Sequence, residues 1–275
     1  MSDESPIARV LRGLSLEALD DDLFLGDPGE GTGRLFGGMV AAQSAMAAQR
    51  TVDEGALHSL HAYFLRGGDY GKPIRFVVHR IRDGRTYSTR RVVAYQGGEA
   101  IFNLAASFTR PEPGGEHQEP MPDVPGPEGL PLWEEVRKGW NLPPFWAAHV
   151  EAFEVRLPPE ELADGTRFVW MRPRGDVPED ARLHAALAVY ASDRTLAGAA
   201  VGPMGYERRD IMVTSLDHAM WLHRAPRFDD WILYVSESPV SHAARGLAFG
   251  AMYARDGVRF ASVAQEGLVR LARRR

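Results

Sequence analysis

The chain has 275 residues, of which 44% are hydrophobic and 25% charged, and its formal net charge is −5. This composition is typical of a globular protein with one large or two ordinary domains, and arginines scattered among acidic residues argue against a nucleic-acid partner. The absence of cysteine excludes disulfides, thiolate nucleophiles and cysteine-ligated zinc.

The first half of the chain is predicted to form one helix followed by strands. The helix is assigned to 37–52 (GGMVAAQSAMAAQRTV), which is rich in helix formers, and it begins just after Gly37-Gly38. Four segments rich in β-branched and aromatic residues follow: LHAYFL, PIRFVVHRI, TYSTRRVVAY and AIFNLAASF. Asp83-Gly84 and Gly97-Gly98 lie between them and predict hairpin turns.

A proline-rich connection divides the chain. Seven of the 21 residues in 111–131 (PEPGGEHQEPMPDVPGPEGLP) are proline, which removes backbone donors and fixes φ. Such a segment forms neither a regular helix nor a central strand. We therefore predict an N-terminal unit over 1–110, a linker over 111–148 and a C-terminal unit over 149–275.

The second half repeats the order of the first. Its predicted helix covers 180–196 (DARLHAALAVYASDRTL). The predicted strands are VTSLDHAMWLH, WILYVSES, GLAFGAMY and VRFASVAQEGLVR, and Asp256-Gly257 precedes the last of them. One helix followed by an antiparallel meander in each half predicts an α+β fold.

The two halves also match in sequence. His61 and His218 are 157 positions apart, and after one inserted residue the offset of 158 pairs Tyr95 with Tyr253 and also relates Arg66 to Arg224, Ile74 to Ile232 and Phe102 to Phe260. A period this long with two copies indicates the duplication of a domain-sized unit. We expect each helix to lie across a curved sheet, with the two sheets paired edge to edge.

A few polar residues lie inside apolar segments. Asp193 ends the second helix, where a buried carboxylate must be hydrogen-bonded or functional, although a helix-terminal aspartate also caps turns. Ser215 and Gln265 lie in strands, where both residue types are also common without function. Taken alone, none of the three identifies a site.

Other catalytic signatures are absent from the sequence. It contains no Gly-x-Ser-x-Gly elbow, dinucleotide fingerprint, P-loop or His-Glu-x-x-His motif. His58 and His61 are three apart in a predicted strand, so their side chains point to opposite faces and cannot share a metal. We expect no metal and no cofactor.

Several motifs in order resemble the type II acyl-CoA thioesterase family, which includes bacterial thioesterase II and related peroxisomal enzymes. They are LFGGMVAAQS, LHSLHAYFLRGGDYGKPI, RDGRTYSTRRVVAYQGG, YASDRTL, SLDHAMWLHR and VAQEGLVR, and the resemblance covers about Leu16 to Arg270. It implies a double hotdog, in which two tandem antiparallel sheets each wrap around one long helix. It also implies that Asp193, Ser215 and Gln265 hold the hydrolytic water. Some relatives carry threonine in place of Ser215, which keeps the hydroxyl.

The function implied is hydrolysis of a fatty acyl-CoA to a free fatty acid and CoA. Gly37 and Gly38, at a helix N-terminus, are candidates for substrate binding at the developing oxyanion, although they also suit tight helix packing. His58 matches Ser215 in the repeat and is either a substrate-site residue that could act as a general base or a structural histidine. The alternative is a non-catalytic acyl-CoA or lipid-binding protein on the same fold. A hotdog enoyl-CoA hydratase is disfavoured because its Asp-x-Asn-Pro segment is absent.

The remaining expectations concern partners and location. The expected partners are an acyl-CoA substrate and further copies of the chain, as a dimer or tetramer. The sequence has no stretch of the roughly 20 apolar residues that cross a bilayer, and its first residues lack the apolar run of a signal peptide. We therefore expect a cytoplasmic protein without a membrane span.

Overall fold

The computed structural model describes residues 5–136, 138, 151–159, 167–204 and 211–271. The helices are α1 (Pro6–Leu14), α2 (Gly37–Arg50), α3 (Trp133–Val136), α4 (Ala181–Ser192) and α5 (Leu196–Ala199). The strands of the first half are β1 (Glu17–Asp20), β2 (Leu23–Gly26), β3 (Ala56–Phe64), β4 (Ile74–Asp83), β5 (Tyr87–Gln96) and β6 (Glu99–Thr109). Those of the second half are β7 (Phe153–Arg156), β8 (Arg167–Pro173), β9 (Ile211–Ser215), β10 (Asp217–Leu222), β11 (Ile232–His242), β12 (Arg245–Ala254) and β13 (Arg259–Leu271).

All of these strands belong to one antiparallel sheet. Its order is β1-β2-β4-β5-β6-β3-β10-β13-β12-β11-β8-β7, with β9 paired to β13 beside the main path. The two halves meet where β3 pairs with β10, from Tyr63 opposite Asp217 to Ser59 opposite Trp221. The predicted edge-to-edge pairing of two sheets is confirmed, and so is the α+β class.

The long helices α2 and α4 lie side by side in antiparallel orientation under the sheet. The side-chain amide of Gln49, near the end of α2, donates to the carbonyl of Arg182, near the start of α4 (3.0 Å). From His184 to Ser192, every residue of α4 is buried. A helix that is apolar on all sides is covered on all sides, here by the sheet and by α2.

Three predicted elements differ from their expected bounds, and the first of them, the helix predicted over 37–52, ends at Arg50. The helix predicted over 180–196 begins after the N-cap Asp180 and ends at Ser192, where the Arg194 amide bonds the Ala191 carbonyl at 3.2 Å and tightens the last turn. The strand predicted over 213–223 is interrupted at Leu216. The Leu216 amide donates to Glu266 (2.9 Å), while its carbonyl accepts from Phe64 (3.0 Å), so the chain bends between β9 and β10.

The division into units stays a prediction. The sheet is continuous across the two halves, so its topology alone marks no boundary. The linker prediction over 111–148 falls partly outside the described residues, as does the predicted start of the second unit at 149. Within the described ranges, no helix combines the length and the apolar character needed to cross a bilayer.

Arg90 is a buried cation beneath the first half of the sheet. Its guanidinium donates to the Thr51 hydroxyl (2.8 Å) and carbonyl (2.9 Å), to the carbonyls of Arg82 and Thr89 (both 3.0 Å), and to the Asp83 carboxylate. Its side chain is 1% exposed, so these acceptors replace water completely. The network ties the end of α2 to β4 and β5.

Replacing Arg90 with leucine is therefore expected to lower the free energy of unfolding by about 3 kcal/mol, because two buried and three partly buried acceptors lose their donor together. Urea unfolding measures the loss. Arg91→Leu is the matched control, since Arg91 is exposed on the same strand, and its effect should stay within about 0.5 kcal/mol. Equal losses in the two variants would contradict the assignment.

Candidate active site

Asp193, Ser215 and Gln265 come together at one point although they span 72 positions of sequence. The Asp193 Oδ1 atom accepts hydrogen bonds from the Ser215 hydroxyl (3.1 Å) and from the Gln265 side-chain amide (2.6 Å). Asp193 is the C-cap of α4, Ser215 is the last residue of β9, and Gln265 lies on the inner face of β13. Three elements thus converge on one carboxylate.

The bend at Leu216 sets the position of Ser215 relative to Gln265. Ser215 pairs with Gly267 in the β9–β13 ladder, two residues beyond Gln265. Asp217, just past the bend, accepts the Glu266 backbone N–H at 2.7 Å through its carboxylate. Residues on both sides of the bend thus bond the backbone that follows Gln265. These bonds fix the spacing between the Ser215 and Gln265 side chains.

Burial dominates the electrostatics of the site. Asp193 is 8% exposed, and desolvation raises its pKa to about 6 despite the opposing hydrogen bonds from Gln265, Ser215 and the Gly38 backbone. The carboxylate is therefore ionised at neutral pH, yet its proton affinity suits a general base. The Gln265 Oε1 atom is buried and has no hydrogen-bond partner among the described residues.

The N-terminus of α2 approaches the carboxylate closely. A Cβ built on Gly37 would lie 3.0 Å from Asp193 Oδ2 and 2.5 Å from a ring carbon of Phe64, and one on Gly38 would lie 2.8 Å from the Tyr190 carbonyl. Glycine is therefore required at both positions for the helix to reach the site. The Gly38 backbone N–H bonds the Asp193 carboxylate. The expectation that Gly37 and Gly38 bind the substrate at the developing oxyanion stays a prediction.

His58 lies away from this cluster. Its Nε2 is 2.8 Å from the Ser107 hydroxyl and its ring lies against Tyr87 at 5.6 Å. Phe64, which borders the site, is six residues further along β3, or about 20 Å at strand spacing. The structure does not bring His58 to Asp193, and its role in substrate binding stays a prediction.

Within the part of the chain that the structure describes, no group of three or more histidines and acidic residues could hold a metal ion. The site is thus a buried carboxylate with a hydroxyl, an amide and a helix N-terminus around it. Such an arrangement can orient a small polar molecule and accept a proton from it.

Comparison with known proteins places these residues in a family. A model described as acyl-CoA thioesterase matches 146–268, and one described as acyl-CoA thioesterase N-terminal domain matches 27–109. Human acyl-coenzyme A thioesterase 8 is 38% identical over 94% of this chain and 88% of its own length. This chain belongs to the acyl-CoA thioesterase family.

Solved structures agree with that membership. An acyl-CoA thioesterase II, TesB2, from Mycobacterium marinum is 39% identical, with a TM-score of 0.82 over 96% of this chain and 98% of that one. A protein of unknown function with a hot dog fold from Alicyclobacillus acidocaldarius shares the fold at 20% identity, with a TM-score of 0.75 over 96% and 98%. The predicted hotdog fold and thioesterase family are therefore confirmed.

Sequence reasoning missed a polar group behind the thioesterase carboxylate. Ser192, the residue before Asp193, is buried and bonded by two other buried side chains, His218 at its hydroxyl and Tyr234 at its carbonyl. The available signal was strand alternation, because in DHAMWL the histidine falls on the same face as the buried Met220.

The raised pKa of Asp193 has a consequence for stability. In the unfolded chain the carboxyl returns to its usual pKa near 3.8, so the folded form is favoured below that value and loses stability as pH rises through about 6. Asp193→Asn removes this penalty. We compare the free energy of unfolding of the variant with that of wild type. The difference, variant minus wild type, should be about 2 kcal/mol higher at pH 8 than at pH 4, because only the wild type loses stability over that range. Urea unfolding at both pH values tests this, and a pH-independent difference would contradict it.

Proposed function

We propose that Asp193, Ser215 and Gln265 hold and activate the water with which this acyl-CoA thioesterase hydrolyses a fatty acyl-CoA. The supporting observation is the buried carboxylate with two side-chain donors on one oxygen. Because Ser215 and Gln265 both donate to Oδ1, we assign the water to Oδ2, which can accept its proton while the Gly38 N–H also bonds the carboxylate. The Gln265 Oε1 atom, without a partner among the described residues, can accept the second hydrogen of the same water.

The reaction follows from this arrangement. The water oxygen forms a bond to the thioester carbonyl carbon while Asp193 takes one of the water's protons. The resulting tetrahedral intermediate expels the CoA thiolate as the carbon–sulfur bond breaks. The proton on Asp193 then passes to the thiolate, which leaves a carboxylic acid and CoA. A thioester carbonyl is electrophilic enough that no covalent enzyme intermediate is needed, and a positioned base typically contributes about 10²- to 10⁴-fold.

The oxyanion would be stabilised at the start of α2. Phe36, the N-cap, has no polar side chain to satisfy the first amides of the helix. With the Gly38 amide directed at Asp193, we assign the Gly37 N–H to the oxyanion. The acyl chain would then pass beside Phe64, whose ring borders Gly37.

A non-catalytic acyl-CoA binder is the less favoured function. Such a protein would gain stability from a neutral side chain at position 193, because burying an ionised carboxylate costs free energy. This chain instead keeps the carboxylate and surrounds it with donors that stabilise the ionised form. A buried carboxylate kept ionised by donors is expected of a general base and not of a binding surface.

The proposal includes a homo-oligomer in the cytoplasm. Tyr63 and Trp221 are exposed on the outer face of the joined strands β3 and β10, and Phe249 is exposed on β12. Aromatic side chains exposed together on one sheet are typical of an interface between protein copies.

The first test is thiol release from a series of acyl-CoAs of increasing chain length. Asp193→Asn should lower kcat at least about 100-fold with folding intact, because the base is lost while the shape is kept. Asp176→Asn, at an exposed position, is the control and should match wild type. A variant at Asp193 that retains wild-type kcat would remove the general base from the mechanism.

The pH dependence tests the electrostatics separately. The value of kcat/KM should fall as pH drops through about 6, where Asp193 becomes protonated. Gln265→Met removes the donor that lowers the Asp193 pKa most. The acidic limb of this variant's pH profile, which is the fall of kcat/KM at low pH, should therefore move to higher pH. Ser262→Ala, on the outer face of the same strand, should leave the limb in place. An acidic limb that stays fixed or moves down in the Gln265 variant would contradict the assignment.

A further inference from the structure

Ser192, the residue before Asp193, is held from two strands at once. The Tyr234 hydroxyl donates to the Ser192 carbonyl (2.9 Å), and the Ser192 hydroxyl lies 2.8 Å from His218 Nε2. The same hydroxyl is 2.9 Å from the Val189 carbonyl one turn earlier. Strands β10 and β11 thus both bond the end of α4 next to Asp193.

The donors and acceptors in this group assign the histidine tautomer. Burial lowers the pKa of His218 to about 4, so at neutral pH the ring carries a single N–H. The Ser192 hydroxyl has one hydrogen, which we assign to the Val189 carbonyl. His218 Nε2–H then donates to Ser192, and Nδ1 is left as a bare acceptor.

This Nδ1 atom has no hydrogen-bond partner among the residues that the structure describes. A buried acceptor without a donor lowers stability relative to an apolar side chain of similar volume. His218 is 1% exposed, so water does not compensate at the surface. Packing alone therefore does not account for a histidine at this position.

His218 also lies beside Gln265. Ala219 pairs with Ala264 in the antiparallel β10–β13 ladder. His218, one residue before Ala219, is therefore opposite Gln265, one residue after Ala264. Both side chains are buried on the inner face. The imidazole therefore bonds the end of α4 through Ser192 and is carried at the strand position opposite Gln265.

We propose that His218 is a positioning residue for the hydrolysis, which holds Asp193 in place through Ser192. This inference rests on the proposed function. The hydrogen bond to Ser192 limits rotation of the last turn of α4, so the carboxylate keeps its distance to the Ser215 and Gln265 donors. A general base gains its effect from such held geometry, and a displacement of about 1 Å can cost about 10²-fold in rate.

The test compares His218→Met with His218→Gln in thiol release and thermal unfolding. The methionine variant removes the bond to Ser192 together with the unpaired nitrogen. Its kcat should fall by about 10- to 100-fold, while KM changes little and the melting temperature stays equal to wild type or rises. Glutamine places an amide N–H near the position of Nε2, and it should restore kcat to within about fivefold of wild type.

A double-mutant cycle tests whether His218 acts through Ser192. If it does, Ser192→Ala with His218→Met should lose no more activity than the more damaging single variant. His223→Gln is the matched control, because His223 bonds Ser262 at 2.7 Å in a similar but exposed pair, and it should retain wild-type kcat.

The outcomes separate the two claims. Wild-type kcat in His218→Met, losses that simply track a lower melting temperature, or additive effects in the cycle would each overturn the positioning role while leaving the hydrolase intact. Absence of thiol release from the wild-type chain would overturn the proposed function and this inference with it.

Discussion

The pairing of β3 with β10 is the contact on which the site depends. It joins the two half-sheets into one surface and places α2 and α4 side by side in opposite directions. The start of α2 consequently meets the end of α4, which brings Gly37 and Gly38 against Asp193. The same pairing fixes β10 next to the bend that carries Ser215. A single half could form its own sheet and helix, but it would have no helix N-terminus facing its carboxylate.

The two copies have diverged at equivalent positions. Thr51 caps the end of α2 as Asp193 caps the end of α4. Where the second copy has Ser215 and Gln265, the repeat places His58 and Ser107, which bond each other. The hydroxyl and carbonyl of Thr51 accept hydrogen bonds from the Arg90 guanidinium, whereas Asp193 accepts from neutral donors. The first copy thus contains a buried cation with its acceptors, and the second contains a buried carboxylate with its donors.

Much of this could be predicted from the sequence, and the failures are informative. The duplication was visible because strand residues such as His61 and His218 keep their spacing, and the Asp-Gly and Gly-Gly turns separate the strands. Gly97 and Gly98 do have positive φ values of 57° and 86°, as the predicted hairpin requires.

Local patterns could not place the bend at Leu216, because it depends on hydrogen bonds to Glu266 and Phe64, which are distant in sequence. The same limit applies to the site. Asp193 stood out as a charge in an apolar helix, but its contacts with Ser215 and Gln265 come from tertiary pairing. Strand alternation could have marked His218 as buried, but its bond to Ser192 and its unpaired nitrogen depend on the folded core. Edge strands such as β1, which is exposed throughout, carry no alternating pattern that would reveal them.

The site combines a cost in stability with a gain in chemistry. Burial alone would raise the pKa of Asp193 further, and donors alone would hold it low and leave a weak base. The balance between desolvation and the hydrogen bonds from Gln265, Ser215 and Gly38 leaves the pKa at about 6. The carboxylate is then ionised before the reaction and basic enough to accept a proton during it. This balance requires donors fixed at short distance, and the rigid sheet together with the antiparallel helix pair provides them.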